Sequence, residues 1–403
     1  MHATPQPLSL KQVLFCGAMI VTLSMGIRHG FGLWLQPITQ EQGWSRQSFS
    51  LAIAIQNLSW GVIGVFAGML ADKLGAFRVL VAGAVLYAIG LAGMALSPTP
   101  LMFALTAGVL IGAAQAGTTY AVIYGVIGRQ ISVERRSWAM GVAAAAGSFG
   151  QFLMVPVEGR LIGGLGWQTA LLVLAAMVLM IVPLAFGLRE PRHGASPLAH
   201  RDQTIAQATR EALRYPSFVL LTAGYFVCGF QVVFIGVHLP TYLRDIGMTA
   251  NVGSRALAII AIGNIVGTYV WGMQGGKYPK RLLLSAIYLL RAVVIVAFLV
   301  APKTEWVVYL FAAAMGSLWL STVPLTNGLV ASRYGVAYLS MLSGVVFFGH
   351  QIGSFAGVWM GGYLFDKTGT YFWAWVTAAA LGVFAALVHL PIDEKPLARP
   401  AAA

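Results

Sequence analysis

Charged residues are scarce in this sequence. Asp, Glu, Lys and Arg make up 9% of the 403 residues and hydrophobic residues make up 58%, whereas soluble globular proteins carry about 25% charged residues. The formal net charge is +13, but the basic residues lie in short segments between apolar runs, which argues against nucleic acid as a partner. We therefore expect most of the chain to lie in a lipid bilayer.

Several kinds of chemical site are also missing from the sequence. The two cysteines, Cys16 and Cys228, both fall in apolar runs and predict neither a disulfide framework nor a metal site. No glycine-rich loop followed by Lys-Ser/Thr is present, so ATP-driven transport has no support. Histidines and carboxylates show no close metal-ligand spacing. We expect a protein that is not an enzyme and that uses no cofactor and no metal.

Long apolar runs make up most of the chain. A membrane-spanning helix needs roughly 20 apolar residues, and the runs between polar turns predict twelve spans. The first run is too long for a signal peptide and is expected to be retained. The spans are expected near residues 13–37, 47–70, 79–97, 101–128, 137–161, 168–187, 217–241, 254–275, 282–300, 305–330, 337–364 and 371–390.

One long polar stretch divides the spans into two sets of six. The sequence thus predicts an all-α membrane protein with an N-terminal six-helix bundle (residues 1–187), a cytoplasmic linker (188–216) and a C-terminal six-helix bundle (217–403). GMLADK at 68–73 is echoed by GMQGGK at 272–277, at the same end of the second span of each half. This faint repeat predicts two bundles related by an axis along the membrane normal, with a site near the midplane between them. The alternative is chance recurrence of Gly and Lys at membrane edges.

The distribution of basic residues predicts the orientation. Cytoplasmic segments hold an excess of Lys and Arg in membrane proteins, and such an excess appears here if both termini are cytoplasmic. Arg28 and Arg291 fall within spans. The segments on the inside would then hold Lys11, Lys73, Arg78, Arg129, Arg135, Arg136, Arg189, Arg192, Arg201, Arg210, Arg214, Lys277, Lys280, Arg281, Arg333, Lys395 and Arg399, and those on the outside Arg46, Arg160, Arg244, Arg255, Lys303 and Lys367.

The charged segment GMLADKLGAFR separates the second and third spans. Its pattern, Gly-x-x-x-Asp-Lys-x-Gly-x-x-Arg, resembles the loop between helices 2 and 3 of major facilitator superfamily transporters. We expect its two glycines to form a tight turn, and its acid to close a cytoplasmic gate against the start of the eleventh span near Ala337. The alternative is that the acid only orients the neighbouring basic residues. The predicted gating residues are Gly68, Asp72, Lys73, Gly75, Arg78 and Arg129.

Further segments resemble one branch of that superfamily. Bacterial homologues of the monocarboxylate transporters and the oxalate/formate antiporters are similar to the runs GWSRQSFSLAIAIQNLSWG, AAAAGSFGQF, FVCGFQVVFIGVHLPTYL, WLSTVPLTNGLV and FFGHQIGSFAGVWMGGYLFDKTG. The resemblance implies the twelve-helix fold and organic-anion transport. It departs in helix 8, where animal monocarboxylate carriers place an Asp and an Arg one turn apart and this chain offers Asn264 and Thr268.

Arg28 is the principal candidate for binding an anion. A charge at the bilayer centre costs at least about 2.5–3.5 kcal/mol, and a guanidinium offers two parallel donors that match a carboxylate. The alternative is a structural ion pair with Glu158. For Arg291, in a span expected to be peripheral, a structural link between helices is favoured.

His350 is expected near the midplane of a span that lines the cavity, where it would supply a switchable charge or a hydrogen bond; packing is the alternative. His238 is expected to be structural or to act in gating. Amides and aromatics at similar depth complete the predicted substrate site, although many buried amides only join helices. The predicted substrate-binding residues are Arg28, Gln56, Asn57, Tyr120, Tyr124, Gln151, Asn264, Trp319, His350 and Gln351.

The function expected from these features is alternating-access transport of a small organic anion, such as a monocarboxylate, across the inner membrane by a monomer. Either proton symport or exchange for a counter-anion is open, with Glu158 and His350 as candidates for proton coupling. The absence of an obvious deep carboxylate fits exchange. The alternative substrate is a neutral or larger aromatic compound.

Overall fold

A computed structural model describes residues 8–190, 210–334 and 339–396. Within these ranges the chain forms helices joined by short turns, and no strand occurs. Part of the predicted linker lies outside the described residues, as does Ala337, where the eleventh span was expected to begin.

Residues 8–190 form ten helices, several of which join into longer spans. A 3₁₀ turn at Phe31–Leu33 connects α1 to α2, and a π-helical segment at Ala104–Leu110 connects α5 to α6. The helices are α1 (Leu10–His29), α2 (Leu35–Gln42), α3 (Arg46–Leu74), α4 (Ala76–Ala95), α5 (Pro100–Phe103), α6 (Ile111–Thr118), α7 (Tyr120–Gln130), α8 (Val133–Leu165), α9 (Trp167–Val178) and α10 (Ile181–Phe186).

The second half begins its first long helix with a proline at the N-terminal position, where the missing backbone N–H costs nothing. Its helices are α11 (Pro216–Asp245), α12 (Ala250–Gln274), α13 (Lys280–Val300), α14 (Glu305–Leu318), α15 (Thr322–Tyr334), α16 (Leu339–Thr368) and α17 (Phe372–His389).

In the described residues, eleven helical segments are long and apolar enough to cross a membrane. A further 30-residue helix, α16, lies between the last two of them in the sequence. The eleven positions match the expected spans to within a few residues. Two of the spans, Pro100–Gln130 and Glu305–Tyr334, contain breaks near Thr119 and Trp319 that the apolar pattern did not predict.

The charged segment after the second span is more helical than its sequence pattern suggested. Gly68 was expected to help form a tight turn, but it lies inside α3, and a Cβ added there would meet nothing within 4 Å. The turn consists of Gly75 alone, whose φ of +88° is strained for any residue with a Cβ. Because one residue suffices to reverse the chain, Asp72 and Lys73 remain on the last turn of α3.

Each half has its own hydrophobic core. One buried cluster is drawn mainly from α1 to α10 and the other mainly from α11 to α17. In each core a pair of long helices meets backbone to backbone at glycines, as is common for helices in membranes. A Cβ added at Gly150 on α8 would lie 2.2 Å from the Thr22 carbonyl oxygen of α1, and one at Gly353 on α16 would lie 1.9 Å from the Phe226 carbonyl oxygen of α11.

We predict that Gly353→Ala destabilises the protein because α11 and α16 must move apart to admit the methyl group. Overpacking of this kind costs about 1–3 kcal/mol, and the thermal unfolding midpoint in detergent should fall. Gly344→Ala is the matched control, because the added Cβ on the same helix meets nothing within 4 Å. Equal midpoints for the two variants would contradict the backbone contact.

Candidate functional site

Arg28 lies near the C-terminal end of α1 and is held by side-chain amides. Its Nη1 donates to the Oε1 atoms of Gln56 and Gln115, at 3.4 Å each, and its Nη2 donates to Asn57 Oδ1 at 2.6 Å. These bonds use three of the five N–H donors of a guanidinium. The guanidinium also lies over the Trp60 ring, 4.5 Å from its centroid. Two donors therefore remain for a further acceptor.

The structure does not pair Arg28 with Glu158. Among the described residues, no ion pair involves Arg28. Glu158 on α8 is fully buried and accepts a hydrogen bond at Oε2 from Trp34 Nε1, at 3.2 Å. Because amide oxygens carry no net charge, the positive charge of Arg28 is solvated but not neutralised by its described neighbours.

His350 on α16 approaches the same region from the second half. Its Nδ1 lies 3.1 Å from Gln351 Oε1, and Gln351 Nε2 donates to the backbone oxygen of Asn57 at 2.8 Å. Asn57 thus contacts Arg28 with its side chain and Gln351 with its backbone. His350 is buried, with 7% of the residue exposed, and no described residue bonds to its Nε2. This arrangement links Arg28 and Asn57 of the first half to His350 and Gln351 of the second.

Aromatic rings form a second connection between Arg28 and His350. Trp60 meets Phe347 across the interface of the two halves, with ring centroids 5.5 Å apart, and Phe347 stacks on His350 at 5.7 Å. Tyr120, a further aromatic residue expected at the site, packs against the hydrophobic core of the first half. A molecule between the halves at this depth would meet a cation on one side and aromatic faces around it.

The remaining predicted substrate residues lie near the site's edge or elsewhere. Tyr124 packs on Tyr120, with ring centroids 5.5 Å apart. Gln151 Nε2 donates to the Leu257 carbonyl at 3.1 Å, and Asn264 Nδ2 donates to Ser148 Oγ at 2.8 Å, so both amides join α8 to α12. Trp319 is buried at the break between α14 and α15. These contacts are those of helix-joining residues.

Arg291 has the structural contacts that were favoured for it. It is fully buried on α13 and donates to the backbone oxygen of Leu318, from Nε at 3.1 Å and from Nη2 at 2.6 Å, and to that of Trp319. It also donates to Gln231 Oε1 at 3.3 Å. The carbonyls freed by the break between α14 and α15 therefore find donors in this guanidinium.

The two halves are tied together at the end of the molecule that carries Arg46, Asp245 and Asp366, called here the Arg46 end. Arg46 forms a forked ion pair with Asp245 at 2.5 and 2.7 Å, although the two residues are 199 positions apart. Asp366 accepts from the backbone N–H groups of Arg46 and Gln47, at 3.2 and 2.7 Å, at the N-terminus of α3. The Arg46 guanidinium also lies 3.6 Å from the Phe365 ring centroid.

His238 extends this contact into the second half. Its Nδ1 lies 3.1 Å from the Tyr371 hydroxyl, which also accepts from Arg46 Nη1 at 3.1 Å, and its Nε2 lies 2.8 Å from the Val358 oxygen. A buried histidine with a partner at each nitrogen supports the neighbouring ion pair, in agreement with the structural or gating role expected for it.

The opposite end, which carries Asp72, Arg129 and Arg333 and is called the Asp72 end, has ion pairs within each half. Arg129 pairs with Asp72, as expected, and forms a second, forked pair with Glu190 at 3.0 Å for both bonds. In the second half Arg333 pairs with Asp393 at 2.8 Å and holds the pKa of this exposed carboxyl below its ordinary value. Lys73 and Arg78 are exposed.

Hydrogen bonds between described residues of the two halves run from the Arg46 end to the middle of the molecule. They include Ser254 Oγ to the Val155 oxygen at 3.3 Å, and end near Ser148 and Asn57. The described ion pairs of the Asp72 end stay within one half each. The structure therefore shows a state that is closed at the Arg46 end.

Comparison with known proteins agrees with this geometry. The family model described as Major Facilitator Superfamily matches residues 14–334 and 221–403. The chain belongs to the major facilitator superfamily. Its family and fold are those of membrane transporters rather than enzymes, as the sequence predicted.

The relatives of this superfamily member include named carriers. It is 23% identical to an uncharacterised MFS-type transporter of Bacillus subtilis, with 92% of both chains covered. It is 28% identical to monocarboxylate transporter 11 of Mus musculus, covering 87% of this chain and 79% of that one, and 29% identical to monocarboxylate transporter 13 of Rattus norvegicus, covering 91% and 86%.

A solved structure confirms the fold of this superfamily member. The crystal structure of a bacterial homologue of the human lysosomal transporter Spinster, in an inward-facing and occupied conformation, aligns with a TM-score of 0.76 at 16% identity. The alignment covers 94% of this chain and 96% of that one.

Several residues of this region were missed by reasoning from the sequence. Trp60 lies one helical turn from Gln56, and Phe347 lies one turn from His350, so helical spacing from the predicted residues would have found both rings. Arg46, Asp245 and Glu190 carry no such signal, because charged residues at span ends are ordinary.

We predict that Arg46→Gln opens the Arg46 end. Loss of the half-buried ion pair should lower the ratio of closed to open molecules roughly fivefold, which is equivalent to about 1 kcal/mol. Distances between spin labels at Gly164→Cys and Thr249→Cys, in a Cys16→Ser/Cys228→Ser background, would report the shift as a larger long-distance population.

The matched control is Arg255→Gln, which removes an exposed arginine at the same end. It should leave the distance distribution unchanged. The ion pair would have no closing role if both variants gave the wild-type distribution.

Proposed function

We propose that this protein is a secondary transporter of small organic anions, with monocarboxylates as the substrate class. The observation that carries the proposal is the unneutralised guanidinium of Arg28, with two free donors, between the halves. A carboxylate would accept both donors and supply the missing negative charge. The monocarboxylate transporters among its relatives support the same substrate class.

The proposed architecture has twelve spans, with α16 as the eleventh. Residues 1–187 and 217–403 form the two six-helix bundles, 188–216 the linker, and both termini are cytoplasmic. The separate hydrophobic cores of the two halves support this division. The protein would lie in the inner membrane as a monomer. The Arg46 end then faces outward and the Asp72 end faces the cytoplasm.

Alternating access follows from the unequal contacts at the two ends. The Arg46 end is joined by an ion pair between the halves, which must break for the site to face outward. Arg28 and its amide partners lie in one half, whereas His350 and Gln351 lie in the other, so an anion between them would be contacted from both sides. Protons or a counter-anion would complete the cycle.

We predict that Arg28→Lys and Arg28→Gln weaken carboxylate binding. A hydrogen bond to a charged group contributes about 1.5–3 kcal/mol, so affinity should fall about 10- to 100-fold. Lysine keeps the charge but lacks the two parallel donors of the guanidinium, so Arg28→Lys should lose less affinity than Arg28→Gln. Thermal-shift titrations with pyruvate, lactate and benzoate measure this, since ligands that bind the native state raise the unfolding temperature.

Arg160→Gln is the matched control, because it removes an exposed arginine from the same half. It should bind like the wild type. Unaltered uptake of a transported carboxylate by both Arg28 variants would contradict the proposal.

The aromatic faces around Arg28 give the second candidate function its support. Trp60, Tyr120 and Phe347 would also suit a larger aromatic compound. Benzoate and its neutral analogue benzamide distinguish the two functions. Tight binding of benzamide that survives Arg28→Gln would favour the neutral aromatic compound, whereas binding of benzoate alone supports an anion carrier.

We predict that Asp72→Asn shifts the protein toward opening at the Asp72 end and slows transport, with little loss of affinity. Arg129 would lose one of its two acidic partners. The Asp72 carboxylate could also no longer bind the N-terminus of the eleventh span when the Asp72 end closes, a contact that stabilises a carboxylate by about 0.3–1 kcal/mol. Cysteine labelling of cavity positions from the cytoplasmic side should increase. Normal labelling together with normal transport rates would leave Asp72 without a gating role.

A further inference from the structure

Glu158 is a buried acid that the proposed substrate site does not use. Its side chain is fully buried, its Oε1 has no hydrogen-bond partner among the described residues, and its Oε2 accepts the single bond from Trp34. It lies so close to α1 that a Cβ added at Gly30 would fall 1.6 Å from Oε2. Glycine at position 30 is therefore what admits this carboxyl group.

No ion pair among the described residues involves Glu158. On α1, Arg28 and His29 bond to other groups, and on α8 Arg160 is exposed. On α4, the hydroxyl of the ionisable Tyr87 donates to the Ser24 oxygen at 3.2 Å and not to Glu158. An ionised carboxylate in such a place, with one neutral donor, is strongly disfavoured relative to the neutral acid.

Contacts from the other half cover Glu158 on two sides. Ser254 of α12 bonds to the Val155 oxygen, one turn before Glu158, and a Cβ added at Gly159 would lie 3.2 Å from Ser254 Oγ. Near Trp34, a Cβ added at Gly32 would lie 2.3 Å from the Gly236 oxygen of α11. Both the acid and its hydrogen-bond donor are thus enclosed where the halves meet.

A small cavity between the halves lies next to Gly159, the residue that follows this acid. Its volume is about 40 Å³, which is enough to hold water, and its lining includes Gly32, Gln36, Gly159 and Arg244. Arg244 is the charged group on this side. Separation of the halves at the Arg46 end would widen the cavity and bring water to Glu158.

We propose that Glu158 is a proton-binding site, and that the Arg46 end closes only when Glu158 carries a proton. The carboxylate takes a proton from water while that end is open, and closure then buries the neutral acid. Because the closed state holds one proton more than the open state, acid favours closure and alkali favours opening. The inference rests on the proposed alternating access but not on the proposed substrate.

The test uses the purified full-length protein without substrate. In infrared spectra at neutral pH, the wild type should show the carbonyl stretching band of a protonated carboxylic acid, and Glu158→Gln should lose it. Glu41→Gln is the matched control, because Glu41 also accepts an indole N–H, from Trp167 at 2.7 Å, but is exposed. A band that is absent in the wild type, or unchanged in Glu158→Gln, would overturn the proposal.

Spin-label distances between positions 164 and 249, recorded against pH, test the link to closure. The wild type and Glu41→Gln should open as the pH rises, whereas Glu158→Gln, which mimics the neutral acid, should stay closed throughout. If Glu158→Gln does not fold, Trp34→Phe serves instead. It removes the one donor to the carboxylate and should move the transition upward by roughly one pH unit, because bonds to charged groups are the stronger ones.

A pH response that is the same in the wild type and Glu158→Gln, or an unshifted transition in Trp34→Phe, would overturn the link. Failure of the two proposals is distinguishable. If the pH response is missing but Arg28-dependent binding is normal, only the proton-site proposal is contradicted. If carboxylates do not bind but the pH response is intact, only the proposed substrate class is contradicted.

Discussion

The charge of Arg28 is the constraint on which the central site depends. Placing it within the membrane costs at least about 2.5–3.5 kcal/mol, and the chain offsets that cost with amides and an indole ring rather than with an acid. An acidic partner would have neutralised the charge permanently and left nothing for an anion to bind. Neutral partners stabilise the guanidinium while its electrostatic attraction for a carboxylate persists.

The ion pairs at the two ends differ in whether they join the two halves, and this difference holds the molecule closed at the Arg46 end. Arg46 and Asp245 belong to different halves, so their pair holds one end closed. Arg129 with its two acids, and Arg333 with Asp393, each stabilise one half and place no restraint between halves. A change of state requires only the first kind of pair to break, while each bundle keeps its own contacts.

Hydropathy alone was enough to place the membrane helices, because an apolar run of sufficient length has few alternatives to a spanning helix. Depth within a span was also readable from the sequence: Arg28, Asn57, His350 and Gln351 were expected at similar depth, and hydrogen bonds link them in the structure. Local backbone geometry was only partly readable: Gly75 was expected in the turn after the second span but Gly68 was not needed there, and the break at Trp319 is supported by hydrogen bonds from Arg291 on another helix. The Arg46–Asp245 pair could not be found either, because a charged residue at a helix end does not indicate which of many distant charges it will meet.

The two arginines within the spans show how partners distinguish a structural charge from a functional one. Arg291 donates mainly to backbone carbonyls, which are fixed in place by the broken helix that they belong to. Exchanging those partners for a substrate would leave the carbonyls unsatisfied in a region without water. Arg28 donates to side-chain amides instead, and these three bonds leave two of its five N–H donors for a further acceptor. An anion at Arg28 would therefore take no partner from a backbone carbonyl, and this difference, together with the charge, is why Arg28 rather than Arg291 is the proposed binding residue.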